Sequence, residues 1–351
     1  MRRFGCVSVV AVTLLLLLAV PSWSETYSFT ESLAADPLAA SGGNFSISST
    51  AGMGPDNYGQ FTWQSWTASK YVGDPAGSLR VVYDSTTPTV RLERPLPVTL
   101  GMDRDFTLGA RMTILSQDFN ASPTDFFQIN FALSNHATTG ARRTSTYDAG
   151  SGDWLSDSNC FDNVEFTYFP NVSVFGGPTL QVTVMGAELP GQSAFGNFAS
   201  PYFAEGDLGD NTGGQATTLP LDTPLDVKLA YDALSQVMTL SMSRVNADGS
   251  LTPLLLSDTG VIDVDLSGAE YSGGGFSANN FDKLHPFTLD SLIITSYFDN
   301  GDYDPTSPSL FARVDFDAFT FEASSVVPEP GTLLLAGSGW LMAVGWLRRR
   351  S

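Results

Sequence analysis

The sequence predicts an all-β protein, a two-sheet antiparallel sandwich, followed by one C-terminal transmembrane helix. Three observations predict it: alternating apolar and polar residues recur along the middle of the chain, the composition favours strands, and an apolar run stands near the C-terminus. A period of two places successive side chains on opposite faces of a strand, whereas helices repeat every 3.6 residues. The middle shows no helical period and no repeat of about 20–50 residues, so a solenoid or propeller is not expected.

The composition limits both the fold and the partners. The 351 residues are 42% hydrophobic and 15% charged, with 33 glycines and 24 phenylalanines, which suits strands joined by many turns. The formal net charge is −20, and residues 25–330 hold 37 acidic against 12 basic groups, a net charge of −25. Such a surface repels the phosphates of nucleic acids and anionic lipids, so no nucleic acid partner is expected.

Residues 1–24 are predicted to be a secretory signal peptide. Arg2 and Arg3 make the start positive, residues 7–20 are apolar, and Ser24 is a small residue before the expected cleavage point. The apolar run is short for a membrane span, so cleavage is favoured over an anchor. The mature chain is therefore expected to be exported across the inner membrane.

Residues 25–326 are predicted to form the β-sandwich. One face of a ten-residue strand is made by Phe106, Leu108, Ala110, Met112 and Ile114. Two alternating runs, near 225–231 and 238–242, are joined by a short turn and predict a hairpin. Further strands are predicted near 60–66, 79–84, 89–93, 126–133, 164–168, 179–185, 287–297 and 311–321. Asp263 and Asp265, and likewise Asp315 and Asp317, are spaced by two and are expected on solvent-facing sides of strands.

Few residues can supply chemistry. Cys6 leaves with the signal peptide, so Cys160 has no intramolecular disulfide partner and a cysteine-based zinc site is excluded. The two histidines, His136 and His285, stand in no recognisable motif. Catalysis that depends on histidine is therefore not expected, and a structural thiol is the favoured interpretation of Cys160.

The sequence offers two candidate binding sites, one for calcium and one for a sugar. Asp299, Asp302 and Asp304 lie in one glycine-containing loop, and Ca²⁺ takes six to eight oxygen ligands in proteins. The closing glutamate of the EF-hand loop is missing, so a turn with solvated carboxylates is the alternative to calcium. Trp154, in a loop rich in Gly, Asp and Ser, is the candidate for stacking on a sugar, with core burial or loop anchoring as its alternatives.

The C-terminal residues 327–351 have three parts. Pro328, Glu329 and Pro330 come first, residues 331–347 are an apolar stretch, and Arg348, Arg349 and Arg350 stand next to the last residue. Seventeen helical residues reach roughly 25 Å, enough for a thin hydrocarbon core. The arginines hold the end in the cytoplasm. This arrangement resembles the PEP-CTERM sorting signal of Gram-negative bacteria, which an exosortase in the inner membrane recognises and processes.

The body loosely resembles the concanavalin A-like lectin and glucanase superfamily. The resemblance rests on Phe161–Phe169 as a central strand, on the hairpin Leu225–Met242, and on Val314–Phe321 as a closing strand. It implies a jelly-roll topology for the two-sheet sandwich. A different β-sandwich is the alternative.

The superfamily also contains laminarinase-type hydrolases, which place carboxylates on a concave strand. In the corresponding stretch of this chain, residues 160–165, Cys160 stands where the nucleophile is expected. The two acids of the stretch, Asp162 and Glu165, are three positions apart, so a regular strand points them to opposite faces. The leading hypothesis is therefore a non-enzymatic surface or matrix protein, sorted by an exosortase and associated with exopolysaccharide. The alternatives are a lectin-like module that uses Ca²⁺, and a glycoside hydrolase.

Overall fold

Strands make up the regular secondary structure of the described chain, as the alternating sequence predicts. The computed structural model describes residues 26–39, 44–49, 60–65, 69–84, 90–118, 128–136, 147–148, 153–154, 162–170, 178–187, 198–199, 218–255, 260–267, 286–295 and 310–324. Within these ranges, no helix has the length and hydropathy that crossing a membrane requires. The predicted signal peptide and the predicted helix 331–347 lie outside them and stay predictions.

The first sheet, sheet A, has nine strands in the order β15-β14-β13-β6-β18-β4-β3, with β1 paired to β18 and β16 paired to β14. All of these strand pairs are antiparallel. Its strands are β1 (Tyr27–Ser32), β3 (Phe61–Ser65), β4 (Gly77–Asp84), β6 (Phe106–Asp118), β13 (Leu225–Asp232), β14 (Val237–Val245), β15 (Leu251–Leu254), β16 (Ile262–Asp265) and β18 (Phe311–Ala323).

The second sheet, sheet B, has seven antiparallel strands in the order β12-β11-β10-β7-β17-β5-β2. Its strands are β2 (Ser46–Ser49), β5 (Val90–Leu100), β7 (Ile129–Ser134), β10 (Asn163–Phe169), β11 (Thr179–Met185), β12 (Phe198–Ala199) and β17 (Leu289–Thr295). A separate two-stranded pair joins β8 (Tyr147–Asp148) to β9 (Asp153–Trp154).

The two sheets pack face to face around one apolar core. Phe131 on β7 of sheet B meets Phe316 and Phe319 on β18 of sheet A, with ring centroids 6.3 and 6.5 Å apart. Tyr83 on β4 donates its hydroxyl hydrogen across the core to the carbonyl oxygen of Asn130, at 3.0 Å. Apolar residues alternate inward along both sheets and are buried in a single cluster. The predicted all-β, two-sheet antiparallel sandwich is therefore confirmed.

Most predicted strands are present with small boundary changes. The predicted hairpin is β13 and β14, paired from Leu225↔Arg244 to Asp232↔Val237. The predicted strand at 179–185 coincides with β11, and the inward face that begins at Phe106 is buried in β6. The two sheets also contain strands where none was predicted, namely β1, β2, β12 and β15.

The expectation that Asp315 and Asp317 face solvent is wrong. Both are 0% exposed on β18, whereas Asp263 and Asp265 on β16 are exposed as predicted. The cause is a segment, residues 69–76, that precedes β4 in the chain. This segment crosses the outside of sheet A and covers Asp317. This segment, the strap, is held at its far side by the Val72 N–H, which donates to the Ala247 carbonyl at 3.0 Å. A spacing of two shows which face a residue is on but not whether another segment covers that face.

Candidate functional site

The outer face of sheet B, away from the core, carries polar residues in register. Val164, Phe166 and Tyr168 of β10 point into the core, so the alternating residues of the same strand point outward. Opposite Glu165, the register places Ala132 on β7 and Thr183 on β11. Glu165 is 2% exposed and accepts a hydrogen bond from Asn163 Nδ2 at 3.2 Å.

The strand positions around Glu165 do not supply the carboxylate pair of a glycoside hydrolase. Its cross-strand neighbours are Ala132 and Thr183, and its neighbours along the same face are Asn163 and Thr167. Glu93, another buried glutamate of this sheet, lies three strands away on β5, roughly 14 Å at the usual strand spacing. Retaining hydrolysis needs about 5–5.5 Å between the two carboxyls. On the described strands the pair expected from the hydrolase alternative is not formed.

Asp162, the second acid of residues 160–165, is held by hydrogen bonds to the backbone of neighbouring strands. It has a φ of +49°, in the left-handed region, and is 3% exposed. Its carboxylate accepts the Thr288 N–H at 2.7 Å, just before β17 begins. Its backbone N–H donates to Gly186 at 3.0 Å. Asp162 therefore joins the ends of three strands of sheet B. Cys160 lies outside the described residues.

A charged cluster stands on β5 and at the end of β7. Glu93 Oε2 accepts from Arg91 Nη2 at 2.6 Å, and Glu93 Oε1 lies 2.6 Å from His136 Nδ1. Arg91 Nη2 is also 3.4 Å from that same ring nitrogen. Arg91 is 1% exposed, whereas the His136 side chain is 66% exposed. Asp290 fixes the backbone of His136 by accepting its N–H at 2.7 Å. The cluster therefore runs from a buried guanidinium to an imidazole at the surface.

A second charged cluster lies under the strap on sheet A. Arg80 donates to both oxygens of Asp315, at 2.8 and 3.0 Å, in the bidentate geometry that suits a guanidinium and a carboxylate. Lys70 Nζ is 3.0 Å from Asp317, and the Tyr71 hydroxyl is 3.3 Å from the other oxygen of Asp317. The Arg111 guanidinium lies 5.2 Å from the centre of the Tyr71 ring. These contacts fasten the strap to β18 and β6.

Burial sets the protonation of this second cluster. Burial raises the pKa of Asp317 to about 6, although Lys70 acts in the opposite direction. Burial and the Asp317 charge also raise the pKa of the Tyr71 hydroxyl, so the phenol stays protonated at neutral pH. Near pH 6, the neutral phenol of Tyr71 and the partly protonated carboxyl of Asp317 therefore lie side by side under the strap. All of these groups are engaged with one another, so their arrangement is structural.

The predicted site residues are not brought together on the described strands. Trp154 lies on β9, where it pairs with Tyr147 of β8. Asp299, Asp302 and Asp304 lie outside the described residues, as do Pro328, Glu329, Pro330 and Arg348–Arg350. Among the residues that are described, no group of three or more His, Cys, Asp or Glu side chains is placed to hold a metal ion. Calcium at the 299–304 loop and sugar stacking by Trp154 stay predictions.

Sequence reasoning missed both charged clusters. Arg91 and Glu93 are spaced by two on one strand, which signals a shared face but not a partner. His136 follows β7, which β17 separates from β5 in the sheet order, so only the folded chain brings its ring to Glu93. Lys70 and Asp317 are separated by 247 positions in the sequence, so no local pattern connects them.

The C-terminal region matches a known protein family. Residues 326–350 match the family described as the PEP-CTERM protein-sorting motif. The predicted recognition of the tail is thereby confirmed. The motif implies an exported surface protein that an exosortase sorts. The match covers the tail alone and leaves the role of the sandwich open.

Comparison with solved structures finds lectins. Peanut lectin with a nonapeptide aligns with a TM-score of 0.39 at 10% identity, over 85% of this chain and 97% of that chain. Lectin I from Ulex europaeus, in complex with the methyl glycoside of α-L-fucose, gives 0.39 at 10% identity over 85% and 98%. The Emp47p carbohydrate recognition domain gives 0.38 at 11% identity over 84% and 94%. No curated protein matches the chain.

Proposed function

We propose that this chain is an exosortase-sorted protein of the cell surface or extracellular matrix, whose β-sandwich is non-enzymatic and associates with extracellular polysaccharide. The observation that supports it most is the position of the sorting motif. The last strand of the sandwich, β18, ends at Ala323, and the motif spans 326–350. The sandwich therefore leads directly into the motif and is the part of the chain that sorting delivers.

The tail has the physical parts that such delivery needs. The prolines at 328 and 330 cannot continue a strand ladder, because proline has no N–H to donate. The apolar stretch 331–347 contains no charged residue, and three arginines follow it. In this proposal the stretch spans the inner membrane, the arginines stay in the cytoplasm, and the sandwich stands on the outside. Removal of the tail then releases the sandwich.

A non-enzymatic role fits the outer face of sheet B. No carboxylate stands at the strand positions next to Glu165, and Asp162 is committed to a backbone N–H. The net charge of −25 over residues 25–330 favours a neutral polysaccharide over a polyanion.

Sorting is tested with the variant Glu329→Gln, which removes the one charge of the Pro-Glu-Pro motif and keeps its shape. The intact mass of the mature protein is measured in cells with and without an active exosortase. We expect wild-type protein to lose residues of the tail only in the exosortase-positive cells, and Glu329→Gln to keep them in a larger fraction of molecules. Glu322→Gln, at an exposed position of β18, is the matched control and is processed like wild type. A wild-type mass that includes residues 331–351 in exosortase-positive cells contradicts the proposal.

Association with polysaccharide is tested in the same cells by separating the matrix from the culture fluid. We expect the sorted protein to sediment with the exopolysaccharide, and to appear in the fluid when synthesis of the polysaccharide is blocked. A protein that stays in the fluid in both strains is sorted but does not associate, and that result rejects this half of the proposal.

A further inference from the structure

The chain enters β1 and leaves β18 at the same end of the sandwich. The two strands are antiparallel neighbours, with Tyr27 in register with Ala323. On its other side β18 pairs with β6, where Ala323 is in register with Phe106. Phe29 of β1 stacks on Phe321 of β18, with ring centroids 5.3 Å apart. The last strand is therefore paired on both sides up to its final residue and cannot fray without breaking two ladders.

A clamp holds the residue that follows β18. The Ser324 N–H donates to the backbone carbonyl of Asp105 at 3.0 Å, and Arg104 Nη1 donates to the Ser324 carbonyl at 2.7 Å. The Arg104 guanidinium also lies 5.4 Å from the centre of the Tyr27 ring. This arrangement of Arg104, Asp105 and Ser324 is the clamp. It engages both hydrogen-bonding groups of the Ser324 backbone.

The sorting motif follows the clamp within a few residues. Pro328 is four residues beyond Ser324, so an extended chain carries it no further than roughly 14 Å from the clamp. A folded domain of about 100 residues has a radius of gyration of about 13 Å, and its surface extends beyond that radius. An enzyme that holds residues 328–330 in a cleft therefore meets the sandwich.

We propose that the end of the sandwich around the clamp is the surface that faces the exosortase, and that the clamp limits how fast the tail is processed. The proposal rests on the sorting proposed above and names the part of the body that controls it. From Ser324 to Gly331, where the apolar stretch begins, seven residues span at most about 25 Å. A gap of this height is no wider than one small domain, so the held sandwich crowds the enzyme at the membrane.

The charge of this surface shows that the restraint is one of reach. Asp105 Oδ1 accepts the Ala233 N–H at 2.7 Å, which places the turn after β13 beside the clamp. Asp103 and Asp232 are exposed there. Glu329, the one charge of the Pro-Glu-Pro motif, is repelled by these carboxylates. The motif is therefore not expected to bind back onto the sandwich, and only the short tether holds it close.

The test lengthens this tether in the full chain. A flexible spacer of six Gly and Ser residues is inserted between Ser325 and Val326, which leaves the matched residues 326–350 intact. Exosortase-positive cells are pulse-labelled, and loss of the tail is followed over time by the change in mass. We expect processing about threefold faster or more, because the reach from the clamp to Pro328 grows to roughly 34 Å.

The matched control places the same spacer between Pro330 and Gly331. It allows the sandwich to stand further from the membrane but leaves the number of residues between the clamp and the motif unchanged. We expect no acceleration from this insertion, because the enzyme still meets the sandwich when it holds the motif.

Arg104→Met opens the clamp without changing the length of the chain. It removes the donor to the Ser324 carbonyl and keeps a long side chain beside Tyr27. We expect about two- to tenfold faster processing, the effect of losing one hydrogen bond. Arg244→Met, at an exposed position near the far end of β14, is the control and is processed like wild type. Melting curves of both variants check that the sandwich stays folded, since global unfolding would also free Ser324.

Three results overturn the proposal: a rate that the spacer after Ser325 leaves unchanged or slows, equal acceleration by the two spacers, or an Arg104→Met rate equal to wild type. These results differ from a failure of sorting itself, in which wild type keeps residues 331–351 in exosortase-positive cells. If wild type is processed and the spacer does not change its rate, sorting stands and control by this end of the sandwich is rejected.

Discussion

At the scale of single residues, burial decides what the charged groups of sheet A do. Asp315 and Asp317 stand two apart on β18, and both are 0% exposed. Asp315 is held by two hydrogen bonds from Arg80. Asp317 faces Lys70 at 3.0 Å and the Tyr71 hydroxyl at 3.3 Å, and the charges of Asp74 and Asp315 oppose its ionisation. One lysine does not compensate for this burial, which is why the pKa of Asp317 is raised to about 6.

The raised pKa of Asp317 predicts a pH dependence of stability. Because the pKa of this carboxyl is about 6 in the folded chain and 3.8 in its ordinary state, folding favours the protonated form. The stabilisation is complete below about pH 4 and is lost as the pH rises through about 6. We expect the unfolding free energy of wild type to fall relative to Asp317→Asn across this window, by on the order of 2 kcal/mol.

Urea denaturation at several pH values between about 4 and 7 measures this difference. Asp263→Asn, on the exposed side of β16, controls for the loss of one surface carboxylate. A constant difference between wild type and Asp317→Asn over the whole range would show that ionisation of Asp317 is not coupled to folding.

At the scale of elements, the chain begins β4 at Gly77, where its backbone packs closely against the backbone of Leu33. A Cβ at Gly77 would collide with the carbonyl oxygen of Leu33 and lie 3.1 Å from Trp63 Nε1. Trp63 donates to that same carbonyl at 3.0 Å, so the strand β3 and the turn after β1 meet at this glycine. Only a residue without a side chain leaves room for this contact.

Gly77→Ala is therefore expected to destabilise the sandwich by about 1–3 kcal/mol, because backbone atoms must shift to admit the methyl group. Gly73→Ala, in the strap, is the comparison. Gly73 has a φ of +86° with open space around a Cβ, so that variant is expected to cost only about 1 kcal/mol of backbone strain. Urea midpoints of the two variants check the order. A Gly77→Ala variant no less stable than Gly73→Ala would mean that the Leu33 contact is not tight.

The strands that sequence reasoning placed well are those with clear alternation, such as β6 and β13. The boundary of β5 was harder, because the predicted strand near 89–93 runs on to Leu100 through Pro95 and Pro97. The pairing with β17 shifts register between Leu289↔Leu100 and Ser291↔Pro95, so the prolines lie where the ladder is interrupted. A strand with prolines at a register shift looks like a loop in sequence. The short β2 and β15 contain too few residues for a period to be visible.

At the scale of the whole molecule, the acidic surface sets how the protein responds to salt. The net charge of −25 over residues 25–330 makes the folded body repel itself. Raising the ionic strength from about 10 mM to about 150 mM shortens the Debye length from about 30 to about 8 Å. Exposed charges are screened more than buried pairs such as Arg91 and Glu93.

We therefore expect the melting temperature to rise by a few degrees over this salt range at neutral pH. This rise corresponds to a gain in unfolding free energy on the order of 1 kcal/mol. Thermal scans monitored by circular dichroism measure it. The same salt step near pH 4, where many carboxylates are protonated, should have a smaller effect. A melting temperature that falls with salt at neutral pH would show that surface ion pairs outweigh the net repulsion.

The class of fold and the sorting signal were both predictable from local sequence patterns. Alternation with a period of two is a local property, so it can be recognised without a structure, and the sorting motif is a contiguous stretch at 326–350. Strand order and coverage, by contrast, are properties of the folded chain. They place Lys70 over Asp317, bring His136 to Glu93, and line Thr167, Asn130 and Arg91 along one face. These residues are far apart in the chain, and only the pairing of strands and the crossing of the strap bring them together.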